Sequence, residues 1–166
     1  MKLSLNELNA FSERIDTNTE AMQGLIESIV GKYCKELDDY MKQVDEALCK
    51  PQKPTTTQLE DMLLNINSML YWVGNGLEQA TVKEAMAKMV KEEQFNEQYN
   101  LAEGTIGDKK ATATLNSQKE EVGRACYSAA VKLYQHKIDR ASEFAASIKK
   151  ILTHRIAEFD ISRRES

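Results

Sequence analysis

The sequence predicts an all-α protein of three to four long amphipathic helices, packed as a helical bundle with coiled-coil-like seams. Three observations carry that expectation. Apolar residues recur at steps of three and four over most of the 166 positions, the repeat of a helix with one buried face. Gly and Pro number only 7 and 2, too few for a turn-rich β-sandwich. No stretch alternates apolar and polar residues at the period of a half-buried strand. The length is that of a single domain, 1–166.

The first segment, 4–49, opens on Ser4-Leu5-Asn6-Glu7, the spacing of a capping box. Thr17-Asn18-Thr19-Glu20 offers a second box, so a short helix is expected to break near Asp16 and restart. Met22, Ile26, Ile29, Tyr33, Leu37, Tyr40, Val44 and Leu48 then form one apolar stripe. Pro51 and Pro54 end it, because proline lacks an amide hydrogen and clashes with the preceding turn.

A central helix is expected over 57–100, capped by Thr57-Gln58-Leu59-Glu60. Leu59, Leu63, Ile66, Leu70, Val73 and Leu77 follow heptad spacing, which suits a helix wrapping a partner helix. Leu63, Ile66, Leu70, Trp72, Val73 and Leu77 are therefore the expected oligomer interface. Tyr71, Trp72 and Tyr99 fall outside the stripes and add to the case for self-association. Gly74-Asn75-Gly76 should kink or turn this helix, since each glycine costs about 1 kcal/mol relative to alanine. Val82, Met86, Met89, Val90 and Phe95 continue it. Residues 101–116 read as a loop around Gly104, Gly107 and Asp108, with Ala111 to Leu115 short and open to an extended form. Ser117-Gln118-Lys119-Glu120 caps the last segment, 117–160. Its apolar face runs through Ala125, Ala129, Leu133, Ala141, Phe144, Ile148, Ile151, Leu152, Ile156 and Phe159.

The net charge of −4 is unevenly spread. Residues 1–50 carry 6 basic and 10 acidic groups, 51–100 carry 4 and 7, and 101–166 carry 12 and 9. Within 109–155 the balance is +6. That segment holds Lys109, Lys110, Lys119, Arg124, Lys132, Lys137, Arg140, Lys149, Lys150 and Arg155. On a helical wheel Lys132, His136, Arg140, Lys150 and His154 share an arc of roughly 80°. A basic strip of this kind tracks a phosphate backbone without reading sequence, and Tyr127, Tyr134 and the histidines would add stacking surfaces. The competing reading is a solvated face of mixed charge, since Asp139, Glu143 and Glu158 lie on the polar side.

Enzyme signatures are lacking. Gly74-Asn75-Gly76 has no third glycine and no strand before it, unlike a phosphate-binding loop. The two histidines, His136 and His154, would stand roughly 27 Å apart on one helix and share neither a metal nor a proton. No catalytic residue, cofactor or metal is expected. Three cysteines, Cys34, Cys49 and Cys126, fit no disulfide framework and suit a reducing cytoplasm. No apolar run approaches a membrane span, and Glu7 comes too early for a signal peptide.

Trp72-Val73-Gly74 resembles the Trp-x-Gly turn of WXG-family hairpins. Pro51 and Pro54 depart from that family by shortening the helix before it, and Trp72 reads instead as a core or interface aromatic. Gly104, Gly107-Asp108, Thr114-Leu115-x-Ser117-x-Lys119 and Ile148-Lys149-Lys150-Ile151-Leu152-x-x-Arg155-Ile156 together resemble the UvsY-like recombination mediators of tailed phages. The likeness covers about residues 83–160. It implies a small helical homo-oligomer in the host cytoplasm that binds single-stranded DNA and helps load a RecA-like recombinase. In that family the DNA contacts are associated with basic residues on the helix before the glycine loop. Here that helix carries Glu92, Glu93 and Glu97 against Lys88 and Lys91. Any DNA contact then falls to Lys109-Lys110 and the following helix, or is lacking. The alternative is an oligomeric structural or adaptor protein, or an inhibitor of a host protein, with no nucleic-acid role.

Overall fold

The computed structural model describes residues 5–164, and within them the side chains of 19–161 and 163. The described residues form four α-helices: α1 (Leu5–Cys49), α2 (Thr56–Leu101), α3 (Ile106–Asn116) and α4 (Gln118–Arg164). No strand occurs among them. The all-α bundle expected from the periodicity is what the chain forms.

The chain divides into two compact units. Among the described residues, the first comprises those up to Ile29 with Ala80–Val131, the second Val30–Gln79 with those from Lys132 onward. The second unit is a bundle of three helical stretches, one each from α1, α2 and α4. Its buried residues repeat every seven positions on each: Val30, Leu37 and Val44; Leu59, Ile66 and Val73; Tyr134, Ala141 and Ile148. Seven residues make two helical turns, so each set lies on one line facing the axis of the bundle. Cys34 and Ala145 fill positions beside those lines. Each fully buried aliphatic side chain contributes about 1.5–3 kcal/mol, and this seam holds the unit together. In the first unit, Ala80 of α2, Ala113 of α3, and Cys126, Ala130 and Val131 of α4 are buried.

Several boundaries differ from the sequence reading. Helix α1 runs unbroken past Asp16, where the chain has neither proline nor glycine. The Ser4 box lies outside the described residues, and so do the side chains of Thr17 and Asn18. Helix α2 is capped two residues earlier than Thr57. The Thr55 amide donates to Gln58 Oε1 (2.8 Å), and Thr55 Oγ1 accepts from the Gln58 amide (3.3 Å). Thr55-x-x-Gln58 satisfies the capping-box rule as well as Thr57-x-x-Glu60 does, and the earlier start adds ladder bonds, beginning with Leu59 N to Thr55 O at 3.0 Å. The connection is pinned on both sides. Lys53 Nζ donates to Leu48 O (2.7 Å), and Arg155 donates to the carbonyl of buried Pro54.

Gly74-Asn75-Gly76 neither kinks nor turns α2, which is helical through it. The cost of two glycines is offset by burial on either side, at Val73 and Ala80. Gly76 has a packing reason. A Cβ there would lie 2.8 and 2.9 Å from Tyr33 Cδ2 and Cγ and 3.0 Å from Tyr134 Cε1.

The loop expected over 101–116 is much shorter, because Ile106–Asn116 is helix α3. Gly104 takes a left-handed φ of 103°, which glycine adopts without steric cost. Thr105 then caps α3: its amide donates to Asp108 Oδ2 (3.0 Å), and its Oγ1 accepts from the Asp108 amide (3.3 Å). This box uses Asp in place of Glu or Gln, so Gly107-Asp108 looked like turn chemistry. Ala111 to Leu115 is helical rather than extended. Asn116 Nδ2 donates to Gln98 Oε1 of α2 (2.8 Å). A single residue, buried Ser117, separates α3 from α4. Its amide donates to Ala113 O and its carbonyl accepts from the Glu121 amide, both at 3.1 Å. Its hydroxyl donates to Thr114 O (3.4 Å) rather than forming a box with Glu120.

Candidate nucleic-acid interface

Helix α4 sets out the basic side chains of the second unit. Its buried line through Tyr134, Ala141 and Ile148 turns the opposite arc to solvent. Lys132, His136, Arg140, Lys150 and His154 are all exposed and fall on that arc. Lys132, Arg140 and Lys150 make no ion pair among the described residues, and His154 Nδ1 lies 3.4 Å from Glu158 Oε1. Asp139, Glu143 and Glu158, all exposed, are the acidic interruptions on and beside this face. Lys149 is exposed on the adjoining arc, with Ala146, Thr153 and Ala157 between it and Lys150.

The ten basic residues singled out from the sequence thus separate into two groups. Three are committed inside the chain. Arg124 bonds Glu121 Oε1 through Nη2 (2.5 Å) and Nε (3.2 Å). Lys137 pairs with Asp38 of α1, and Arg155 holds the Pro54 carbonyl. The other seven make no ion pair among the described residues: Lys109, Lys110 and Lys119 in the first unit, and Lys132, Arg140, Lys149 and Lys150 in the second. Glu121 also takes Lys91 Nζ at 2.8 Å. Arg124, then Lys91, hold its carboxyl well below the usual range, at about 2. Lys91, on the helix where the resemblance would place DNA contacts, is therefore occupied.

Tyr134 is not a stacking surface. It is 1% exposed and the largest fully buried side chain among those described, and burial pushes its hydroxyl up to about 12. The seven-residue step to Ala141 and Ile148 was the signal for this. Tyr127 is partly buried. Cys34 and Cys126 are buried and Cys49 is exposed. Burial, chiefly, raises the Cys34 thiol to about 11, which leaves it un-ionised and inert.

The six interface candidates also divide. Ile66 and Val73 are closed off in the chain's own core. Leu63, Leu70 and Leu77 are half-buried. Trp72 is 60% exposed and meets Tyr71 edge to face, with ring centroids 5.5 Å apart. Of the heptad expected to face another chain, Ile66 and Val73 are thus packed within this one. In the first unit Val82, Met86, Met89 and Val90 are all exposed, and the i, i+4, i+7, i+8 spacing puts them on one face of α2.

A groove of about 410 Å³ opens in the second unit between α1 and α4. Met41 and Phe144, both partly buried, line it together with Asp38, Lys42, Asp45, Lys137 and Arg140. Sequence reading missed Asp38, Met41, Lys42 and Asp45, since nothing in the linear order of α1 marks them as facing α4. Among the described residues no group of three or more His, Cys, Asp or Glu side chains is placed to hold a metal. None of the described helices is long and apolar enough to cross a membrane. Comparison of the chain with protein-family models, curated proteins and solved structures returned no match.

Proposed function

We propose that this chain is a non-enzymatic, single-stranded-DNA-binding accessory protein of the phage recombination-mediator kind, acting beside a RecA-like recombinase. The observation that carries the reading is the exposed face of α4, where Lys132, Arg140 and Lys150 make no ion pair among the described residues, with His136 between the first two and His154 one turn beyond the last. Arg124 and Lys137 already face a carboxylate within the chain, which offsets their charge toward a phosphate; the charge of these three is not offset in that way. The resemblance over residues 83–160 supports the same class.

The test is fluorescence anisotropy with a labelled single-stranded oligonucleotide across a salt series. Three neutralised phosphates correspond to a log–log salt slope of about −2, at roughly −0.7 per contact. Replacing Lys132, Arg140 and Lys150 with glutamine should remove most of that slope. Folded protein that binds no oligonucleotide at low salt sinks the reading.

A second reading, a structural or adaptor protein that assembles with itself, is favoured by the exposed Val82, Met86, Met89 and Val90 face. Light scattering of the wild type and of Met86→Glu with Met89→Glu tests it. A wild-type oligomer that becomes monomeric in the variant supports assembly through α2.

A further inference from the structure

We propose that the groove between α1 and α4 in the second unit is a base-binding subsite, taking one nucleobase of a single strand whose phosphates lie along the exposed face of α4. The proposal rests on the single-stranded-DNA reading above and adds the place where a base is held.

Two seven-residue faces form the groove. Asp38, Lys42 and Asp45 lie along one side of α1, while Lys137, Arg140 and Phe144 lie along the facing side of α4. Its volume of about 410 Å³ falls within the roughly 300–1,000 Å³ of small-ligand sites. The chemistry is graded across it. Phe144 and Met41 offer an aromatic ring and a polarisable thioether, the surfaces on which a flat heterocycle packs. The Lys137–Asp38 pair neutralises itself. What remains is two cations, Lys42 and Arg140, and one carboxylate, Asp45, all exposed.

That set matches a nucleotide better than a simple anion or an apolar ligand. Lys42 and Arg140 attract the phosphate. Asp45 accepts from an exocyclic amine, as a carboxylate does from cytosine N4. A simple phosphate has no use for the ring or the carboxylate, and an apolar ligand has no use for the three charges. Arg140 lies on the exposed basic face and also lines the groove. A strand running along Lys132, Arg140 and Lys150 could therefore turn one base inward beside Arg140.

The experiment compares short oligonucleotides of deoxycytidine, of deoxythymidine and of the abasic backbone, binding the full chain in low salt. The proposal expects cytidine to bind about tenfold tighter than the abasic strand and about fivefold tighter than thymidine, whose O4 faces Asp45 as a second acceptor. Phe144→Leu keeps the apolar volume and should bring cytidine down toward the abasic affinity, with the abasic affinity unchanged. Asp45→Ala, on an exposed position, tests the site even if Phe144→Leu fails to fold, and should erase the cytidine preference over thymidine. Equal binding of all three strands by the wild type overturns the subsite and leaves the basic-face reading standing. A base preference that neither variant alters also overturns it, because the base is then held elsewhere. No binding of any strand overturns both.

Discussion

Replacing Gly76 with alanine sets two opposed effects against each other at one atom. The new methyl raises helix propensity, a gain of about 1 kcal/mol. It also lands 2.8 and 2.9 Å from Tyr33 Cδ2 and Cγ and 3.0 Å from Tyr134 Cε1. Those distances are well inside van der Waals contact, and two of the atoms belong to the root of the Tyr33 ring. Rotation about χ2 leaves Cγ where it is, so the ring clears only by a change of χ1 that would carry the hydroxyl away from Gln79. Tyr134 is fully buried and has no room to retreat. Overpacking of a core costs about 1–3 kcal/mol, and contact with two rings at once puts this site in the upper half of that range. The net expectation is a loss of about 1–2 kcal/mol, with strain on the hydrogen bond that Tyr33 donates to Gln79 (3.0 Å). Gly74→Ala is the matched control. Beyond its own helical backbone and chain neighbours no heavy atom lies within 4 Å of its new Cβ, so it should stabilise by about 1 kcal/mol. Urea denaturation followed by circular dichroism reads both. With an m-value of about 2 kcal/mol per molar, the two midpoints should move in opposite directions, each by several tenths of a molar. A Gly76→Ala midpoint raised as far as that of Gly74→Ala would refute the argument.

Three further outcomes are expected. Native protein treated with iodoacetamide at pH 8 should be alkylated once per chain, at exposed Cys49, and three times in urea; mass spectrometry that finds Cys34 modified as fast as Cys49 contradicts its burial. Glu121 has a folded pKa of about 2 against an ordinary 4.5. Its stabilising contribution is thus complete above 4.5 and lost as pH falls from there toward 2, so Glu121→Gln should flatten the acid limb of melting temperature in that window. Thr105→Ala removes the α3 cap at a cost of about 1 kcal/mol, and hydrogen exchange should show amides at Asp108 and Lys109 losing protection while those of α2 stay unchanged.

What could be read from the linear order was whatever repeats within one helix. The 59-66-73 line, the proline break after Cys49 and the buried settings of Cys34 and Cys126 all come from short-range patterns with a single strong cause. Three features were misread because their cause lies in another segment. Gly76 looks like a helix breaker until Tyr33 and Tyr134 are seen against it. Helix α3 is hidden because glycine, Asp and β-branched threonine lower its propensity while a Thr105–Asp108 box and one buried alanine hold it. Ile66 and Val73 fit an interface with another chain as well as with α1 and α4, and periodicity carries no information about which. The basic face was legible as composition. Which of its members remain available was not, since Asp38 lies 99 positions from Lys137 and Pro54 lies 101 from Arg155.

The α1–α2 connection has a practical consequence. Its two lysines, Lys50 and Lys53, each precede a proline, and trypsin does not cut a Lys–Pro bond. The turn between α1 and α2 is thus covalently silent to that protease, whether folded or not. A tryptic fragment ending within residues 32–83 must come from opening of α1 at Lys32, Lys35 or Lys42, or of α2 at Lys83, which makes limited digestion a direct clock for the melting of those helices.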